Sequence, residues 1–262
     1  MLLLTLHIVA CKQTKSSEQA FALTRDTLQV EAPFGTYTIQ SPNFENAPRF
    51  PITDFGAEPA DKKKNTEAIA AAIDSAHAVA GGTVVIPKGE WLTGKIHFKS
   101  NVNLHLEEGA TLLFSENPQD YLPAVLSTWE GMECYNYSPL IYAYECENIA
   151  ITGKGKLKAK MDTWEVWFAR PSGHMQNLKR LYEMASKDIP VEERQMVNDS
   201  ANFRPQFIQF NRSKHILLEG IAIENSPFWV IHPYLSSDVI IRDVNVFAHG
   251  HNNDGVDPEM SQ

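Results

Sequence analysis

Four short segments of this 262-residue chain repeat one pattern, a polar residue leading a run of β-branched or leucine positions. They are Asn101-Val102-Asn103-Leu104, Asn148-Ile149-Ala150-Ile151, His215-Ile216-Leu217-Leu218 and Asp238-Val239-Ile240-Ile241. Ile216 and Val239 lie 23 residues apart. Val102 to Ile149 is 47 residues, close to two such periods, and Ile149 to Ile216 is 67, roughly three. The unit is short for a helical solenoid and lacks a leucine-rich consensus, so parallel strands stacked as coils of a β-helix fit best. Neighbouring strands then sit about 4.8 Å apart. A polar residue faces its counterpart one period later, and outward side chains form ladders along one face. Such a face suits an extended polymer.

The rest of the chain divides around this repeat. Residues 20–49 alternate apolar and polar between Pro33, Pro42 and Pro48, which reads as a small strand-containing extension. From residue 50 the β-helix domain begins. Asn65-Thr66 offers a helix cap, and Ala68, Ile69, Ala72, Ile73, Ala76 and Val79 follow one helical face until Gly81-Gly82. This helix is expected to cap the N-terminal end of the solenoid. Residues 174–199 carry Leu178, Leu181, Tyr182, Met184 and Met196 among many charges and read as a helical insertion.

Residues 1–19 read as a signal and tether. The apolar run Met1–Ala10 is too short to span a bilayer. Ile8-Val9-Ala10-Cys11 resembles a bacterial lipobox, in which Cys11 would be lipidated and would anchor the chain without spanning the membrane. The alternative is an ordinary cleaved signal. Either way the protein is expected to be exported, as a periplasmic or cell-surface lipoprotein of a bacterium in the first case. The net charge of −9 argues against a nucleic-acid partner, and any attraction for an acidic polymer must be local. Nothing in the spacing of Cys134 and Cys146 decides between free thiols and a disulfide.

The chemistry concentrates near the end of the sequence. Asp254, Asp257 and Glu259 put three carboxylates within six residues, beside Gly255 and Pro258. On strand geometry Asp257 and Glu259 share a face and Asp254 takes the other, unless the turn realigns them. One period beyond Trp229 falls near Asn252–Asn253, which would put an aromatic platform one rung from the carboxylates; Trp229 could equally be core. His232 either lines the cleft or is a buried structural residue. His249 and His251 form a His-x-His with no clear third ligand, so no metal is expected. Lys154, Lys156, Lys158 and Lys160 alternate along a strand face, either as a basic ladder or as a solvated edge.

These motifs resemble those of glycoside hydrolase family 28, the polygalacturonases and related pectin hydrolases. The resemblance runs over residues 50–262. It is carried by Thr53-Asp54-Phe55-Gly56-Ala57, Asn65-Thr66-Glu67-Ala68-Ile69, Gly81–Pro87, Ser138-Pro139-Leu140-Ile141, Thr152-Gly153-Lys154-Gly155, Arg204-Pro205 and Asn225–Pro233. Asn252-Asn253-Asp254-Gly255-Val256-Asp257 resembles the signature Asn-Thr-Asp-Gly-x-Asp, with Asn253 in place of threonine. The resemblance implies an all-β, right-handed parallel β-helix of the pectin-lyase-like kind and inverting hydrolysis by carboxylates. It puts Asp254 on the water-activating side and Asp257 against the sugar. Asn252, Trp229, His232 and His249 are the other candidates for substrate contact, although His249 also suits a turn role.

The family's general acid belongs to a Gly-Asp-Asp motif about one coil later, and its main cation for galacturonate to an Arg-x-Lys motif. Neither is present, and the sequence contains no Asp-Asp pair. The expectation is therefore a β-helix incomplete at its C-terminus and inactive as it stands. The expected partner is a pectic polysaccharide or oligogalacturonide, with no cofactor and a monomeric full-length protein. Two alternatives differ in class: a non-catalytic polysaccharide-binding β-helix at the cell surface, and a lyase, which would need a Ca²⁺ cluster.

Overall fold

The computed structural model describes residues 21–198, 200 and 203–262; the proposed tether over 1–19, with Cys11, lies outside the described residues. Three parallel sheets form a right-handed parallel β-helix. The first holds six strands, Arg49–Pro51, Gly82–Ile86, Val102–Leu106, Glu147–Gly153, Lys214–Glu219 and Ser237–Arg242. The second has five: Gly89–Thr93, Ala110–Phe114, Lys156–Ala159, Ala222–Glu224 and Asn245–Phe247. The third has four: Ile96–His97, Ile141–Tyr144, Ile208–Asn211 and Ile231–Tyr234.

Each sheet sends at least one column of apolar side chains inward, in strict register. The columns are Val84–Leu104–Ile151–Leu218–Ile241, Trp91–Leu112–Leu157–Ile223–Val246 and Ile96–Ile141–Ile208–Ile231–Val256. All but the last members lie in a single buried core. Period-two alternation then sends the intervening residues outward.

The polar residue leading each repeat has a backbone role. Asn101, Asn148, His215 and Asp238 all adopt positive φ, between 52° and 65°, at one corner of the coil. Asn, Asp and His tolerate this left-handed region better than most residues. Their side chains also stack: Asn148 Nδ2 donates to Asn101 Oδ1 at 2.9 Å, and His215 Nδ1 lies 3.2 Å from Asp238 Oδ2.

The coil count departs from the periodicity. Val84, Leu104, Ile151, Leu218 and Ile241 are successive rungs, separated by 20, 47, 67 and 23 residues. The intervals of 47 and 67 are therefore single coils, and the expected division into two and three is wrong. The extra chain leaves the stack at one corner, between the second and third sheets. In one coil it forms an antiparallel hairpin, Val125–Trp129 with Met132–Asn136. In the next it forms the short helix Asp162–Glu165 and the longer helix Ser172–Ser186, which realises the expected insertion. Hairpin, insertion and the segments leading into two third-sheet strands share a second core of Trp129, Cys134, Leu181, Met196, Phe203 and Phe228.

Helix α1, Lys62–Ala78, covers the N-terminal end and buries Ala68, Ile69, Ala72, Ile73 and Ala76, as its periodicity predicts. Its cap is Asp61, whose side chain accepts from Lys64 N–H at 3.0 Å. Asn65, expected as the cap, is instead buried within the helix; its amide donates to Leu92 O and accepts from Glu58 N–H. Val79 falls past the helix and is exposed. The extension forms an antiparallel hairpin, Thr24–Ala32 with Gly35–Asn43, whose Ile39 packs with nearby Phe44 on Ala150, Leu217 and Ile240 of the first sheet.

One glycine tests how tightly the rungs close. Gly153 has φ of 112°, and a Cβ there would lie 2.0 Å from the Leu106 carbonyl oxygen of the preceding coil. Gly153→Ala combines a forbidden conformation with a backbone clash and is expected to lower stability by about 3 kcal/mol or more. Thermal unfolding followed by circular dichroism measures this; an unchanged midpoint would contradict the packing.

Candidate functional site

The outward residues of the third sheet form two rows. Tyr142, Gln209 and His232 are in register, as are Tyr144, Asn211 and Tyr234. The 125–136 hairpin lies over these rows and ties them down. Tyr142 Oη and Asn211 Nδ2 both donate to Leu126 O, at 2.6 and 3.1 Å. Ser127 Oγ donates to Gln209 Oε1 at 3.1 Å, and Gln206 Nε2 to Thr128 O at 2.8 Å. Glu133 receives both Arg212 and Tyr234 Oη.

The acidic turn adds a further rung. Val230 N–H donates to Asp254 O, Ile231 N–H to Gly255 O, and the chain returns through Asp257 N–H to Ile231 O and Glu259 N–H to Pro233 O. Ile231 pairs with Val256 and Tyr234 with Glu259, an offset of 25 residues where the preceding rung has 23. The longer turn corrects the expected neighbour of Trp229, which is Asp254 in place of Asn252–Asn253. Asp257 and Glu259 continue the two outward rows, sharing a face as strand geometry requires. Asp254 is exposed at the turn.

The carboxylates differ in their surroundings. Glu259 is gripped through Oε2, by Thr128 Oγ1 at 3.1 Å and His232 Nε2 at 3.0 Å. His232 is wholly buried. Gln209 accepts from Ser127 and so turns its amide nitrogen toward His232 Nδ1, 3.1 Å away, which leaves Nε2 to donate to Glu259. Of the two roles open to His232, burial selects the structural one: it orients Glu259. Asp257 Oδ2 is buried with no hydrogen-bond partner. Burial foremost, then the charges of Asp254 and Glu259, push its pKa up to about 7.

Trp229 is half-buried at the end of an aromatic stack. Phe203 and Trp129 lie 4.4 Å apart, Trp129 and Phe228 4.3 Å, and Phe228 and Trp229 5.2 Å; His232 meets Trp229 edge-on at 5.0 Å. Asn252 holds the turn, its Oδ1 accepting from Arg204 Nη2 at 3.3 Å. The buried Arg204 also donates to Pro227 O and His251 O, at 2.7 and 2.8 Å, and lies over the Phe168 and Phe228 rings. Asn253, the departure from the signature, donates to Ser226 O. His249 is exposed, edge-on to Phe247 at 4.8 Å, with no contact to the carboxylates among the described residues.

Two other features resolve. Lys156 and Lys158 both pair with Glu224, and Lys160 with Glu116, so three members of the lysine ladder have acidic partners. Cys134 and Cys146 are buried free thiols, which burial pushes up to about 12 and about 11. Thr128 was not singled out in the sequence, Glu259 was named only as part of the acidic cluster and Arg204 only within a motif; the pairing of distant coils reveals the places of all three.

No family model matches the chain. It is 25% identical over 218 residues to a probable polygalacturonase of Vitis vinifera, covering 79% of this chain and 39% of that protein. Among solved structures, an exopolygalacturonase from Thermotoga maritima superposes with a TM-score of 0.79 at 40% identity, over 85% of this chain and 52% of that one. A family 28 exopolygalacturonase from Yersinia enterocolitica gives 0.61 at 23% identity, over 92% and 47%, and shows the fold. The chain thus spans about half, or less, of the length of these relatives.

Because its pKa is raised from 3.8 to about 7 on folding, Asp257 contributes stability that is present below pH 4 and lost progressively by pH 7. Urea unfolding across this window is expected to show wild-type stability falling more steeply than that of Asp257→Asn. Parallel profiles would remove the shift.

Proposed function

We propose that this chain, polygalacturonase-like in sequence and fold and of the glycoside hydrolase family 28 kind, serves in hydrolysis of the α-1,4-galacturonosidic bonds of pectin. One observation carries the reading. Asp254, Asp257 and Glu259 are set on a single outer rung, beside the half-buried Trp229, in three different environments. Exposed Asp254 suits a base that takes a proton from water as the water attacks the anomeric carbon. Asp257, protonated over much of the acidic range, can donate a hydrogen bond to a sugar hydroxyl or carboxylate. Glu259, fixed by His232 and Thr128, keeps the rung in place.

The leaving oxygen takes its proton from the second acid of an inverting pair. By the family resemblance that acid belongs to a Gly-Asp-Asp motif, which these 262 residues do not contain. The pectic polymer or oligogalacturonide is the partner this chemistry recognises, with carboxyl groups and water as its reagents. Export to the cell surface through lipidation of Cys11 follows from the lipobox-like Ile8–Cys11 and fits a polymeric substrate.

With the complete gene product on polygalacturonate, reducing ends are expected to appear without the ultraviolet absorbance of an unsaturated product. Asp254→Asn is expected to slow their release by about 10²–10⁴-fold with the melting temperature unchanged. Near-normal turnover in that variant would sink the assignment, and polymer binding without any cleavage would favour a binding module. In a bacterial host, tritiated palmitate is expected to label the protein and to fail to label Cys11→Ser; equal labelling would exclude lipidation at Cys11.

A further inference from the structure

Between the helical insertion and the acidic turn lies a cavity of about 160 Å³, lined among others by Trp129, Glu130, Trp167, Arg170, Arg204 and Asn252. It is well under the ~300 Å³ at which pockets for drug-sized molecules begin, so it has room for one sugar ring and not for a run of them. Through Asn252, two residues before Asp254, it adjoins the carboxylate rung.

Its wall is unusual for a chain of net charge −9. Two guanidinium groups face it against one carboxylate, Glu130. They are close enough to interact: burial lowers the pKa of Arg204 to about 10, with Glu130 opposing and Arg170 adding to the fall. Arg170 is exposed and has no ion-pair partner among the described residues. The wall is also short of acceptors, since Trp129 Nε1 and Arg204 Nε are both buried without one. Trp167 adds a half-buried indole. Excess positive charge, surplus donors and an aromatic surface are the requirements of an acidic sugar.

We propose that this pocket holds a single hexuronate unit, its carboxylate toward Arg170 and its ring against Trp167. The proposal deepens the pectin-hydrolase reading and rests on it for the choice of sugar. It supplies a carboxylate-reading subsite within this chain, built from the insertion and from Arg204 beneath the turn.

The test titrates the protein with D-galacturonate, D-galactose and acetate, following tryptophan fluorescence and saturation-transfer NMR. Galactose keeps the ring and its stereochemistry without the carboxylate; acetate keeps the carboxylate alone. Galacturonate is expected to bind at least about tenfold more tightly than either. A charge-assisted hydrogen bond of this kind corresponds to a factor of about ten or more, so Arg170→Gln is expected to weaken galacturonate by that factor and leave galactose unchanged. Arg170 is exposed, so the variant is expected to fold, which circular dichroism checks. Trp167→Leu, which keeps the charge, is expected to weaken both sugars. No galacturonate binding, equal affinity for galacturonate and galactose or acetate, or an unchanged affinity in Arg170→Gln overturns the proposal. Polygalacturonate cleavage by the complete gene product is scored separately. Cleavage without galacturonate binding sinks the pocket and leaves the hydrolase; galacturonate binding without cleavage sinks the hydrolase and leaves the pocket.

Discussion

A left-handed residue at the start of each of four successive first-sheet strands sets the corner from which the coil is built. With that corner fixed at Asn101, Asn148, His215 and Asp238, each strand lands in register on the one below, and the inward columns take their places in the core. Register matters because a slip of one residue would turn every inward side chain outward. The positions of Gln209, His232, Asp257 and Glu259 on the outer face are thus consequences of backbone pairing that begins on another sheet.

On that face, polar groups are supported in series. Ser127 orients Gln209, Gln209 orients His232, and His232 with Thr128 holds Glu259. Each buried group has its partner, which is the condition under which a polar network adds rigidity without a penalty. Asp257 stands outside this arrangement, with one oxygen orphaned and two carboxylates nearby. That setting raises the proton affinity of Asp257, and separate environments are how neighbouring acids come to divide labour.

Much of this is written locally in the chain. The β-branched runs, the apolar face of helix α1 and the acidic turn follow from periodicity and composition, and the corner residues appear as the polar leader of each run. What escapes is set by chain that returns from a distance. Intervals of 47 and 67 residues look like multiples of 23, yet each is one coil, because a hairpin and a helical insertion carry no trace of the rung they interrupt. Lys156 and Lys158 look free until Glu224 arrives 68 and 66 residues later. Asp254 falls in register with Trp229 only because the last turn is two residues longer than the period, since 25 − 23 is two. His232 stays open between cleft and core in the sequence, and the folded chain buries it wholly.

The enlarged coils also bear on how such a protein can change. Loop closure costs about 0.6 kcal/mol for each doubling of length, so widening a coil from 23 to 67 residues adds only about 1 kcal/mol. Burying one isoleucine of a column returns about 1.5–3 kcal/mol. The stack can therefore carry long excursions at the corner between its second and third sheets while its ladder stays shut. Exposed residues such as Arg170 can be exchanged there with little effect on the rungs, which leaves the surface of the excursions free to drift on a scaffold that does not.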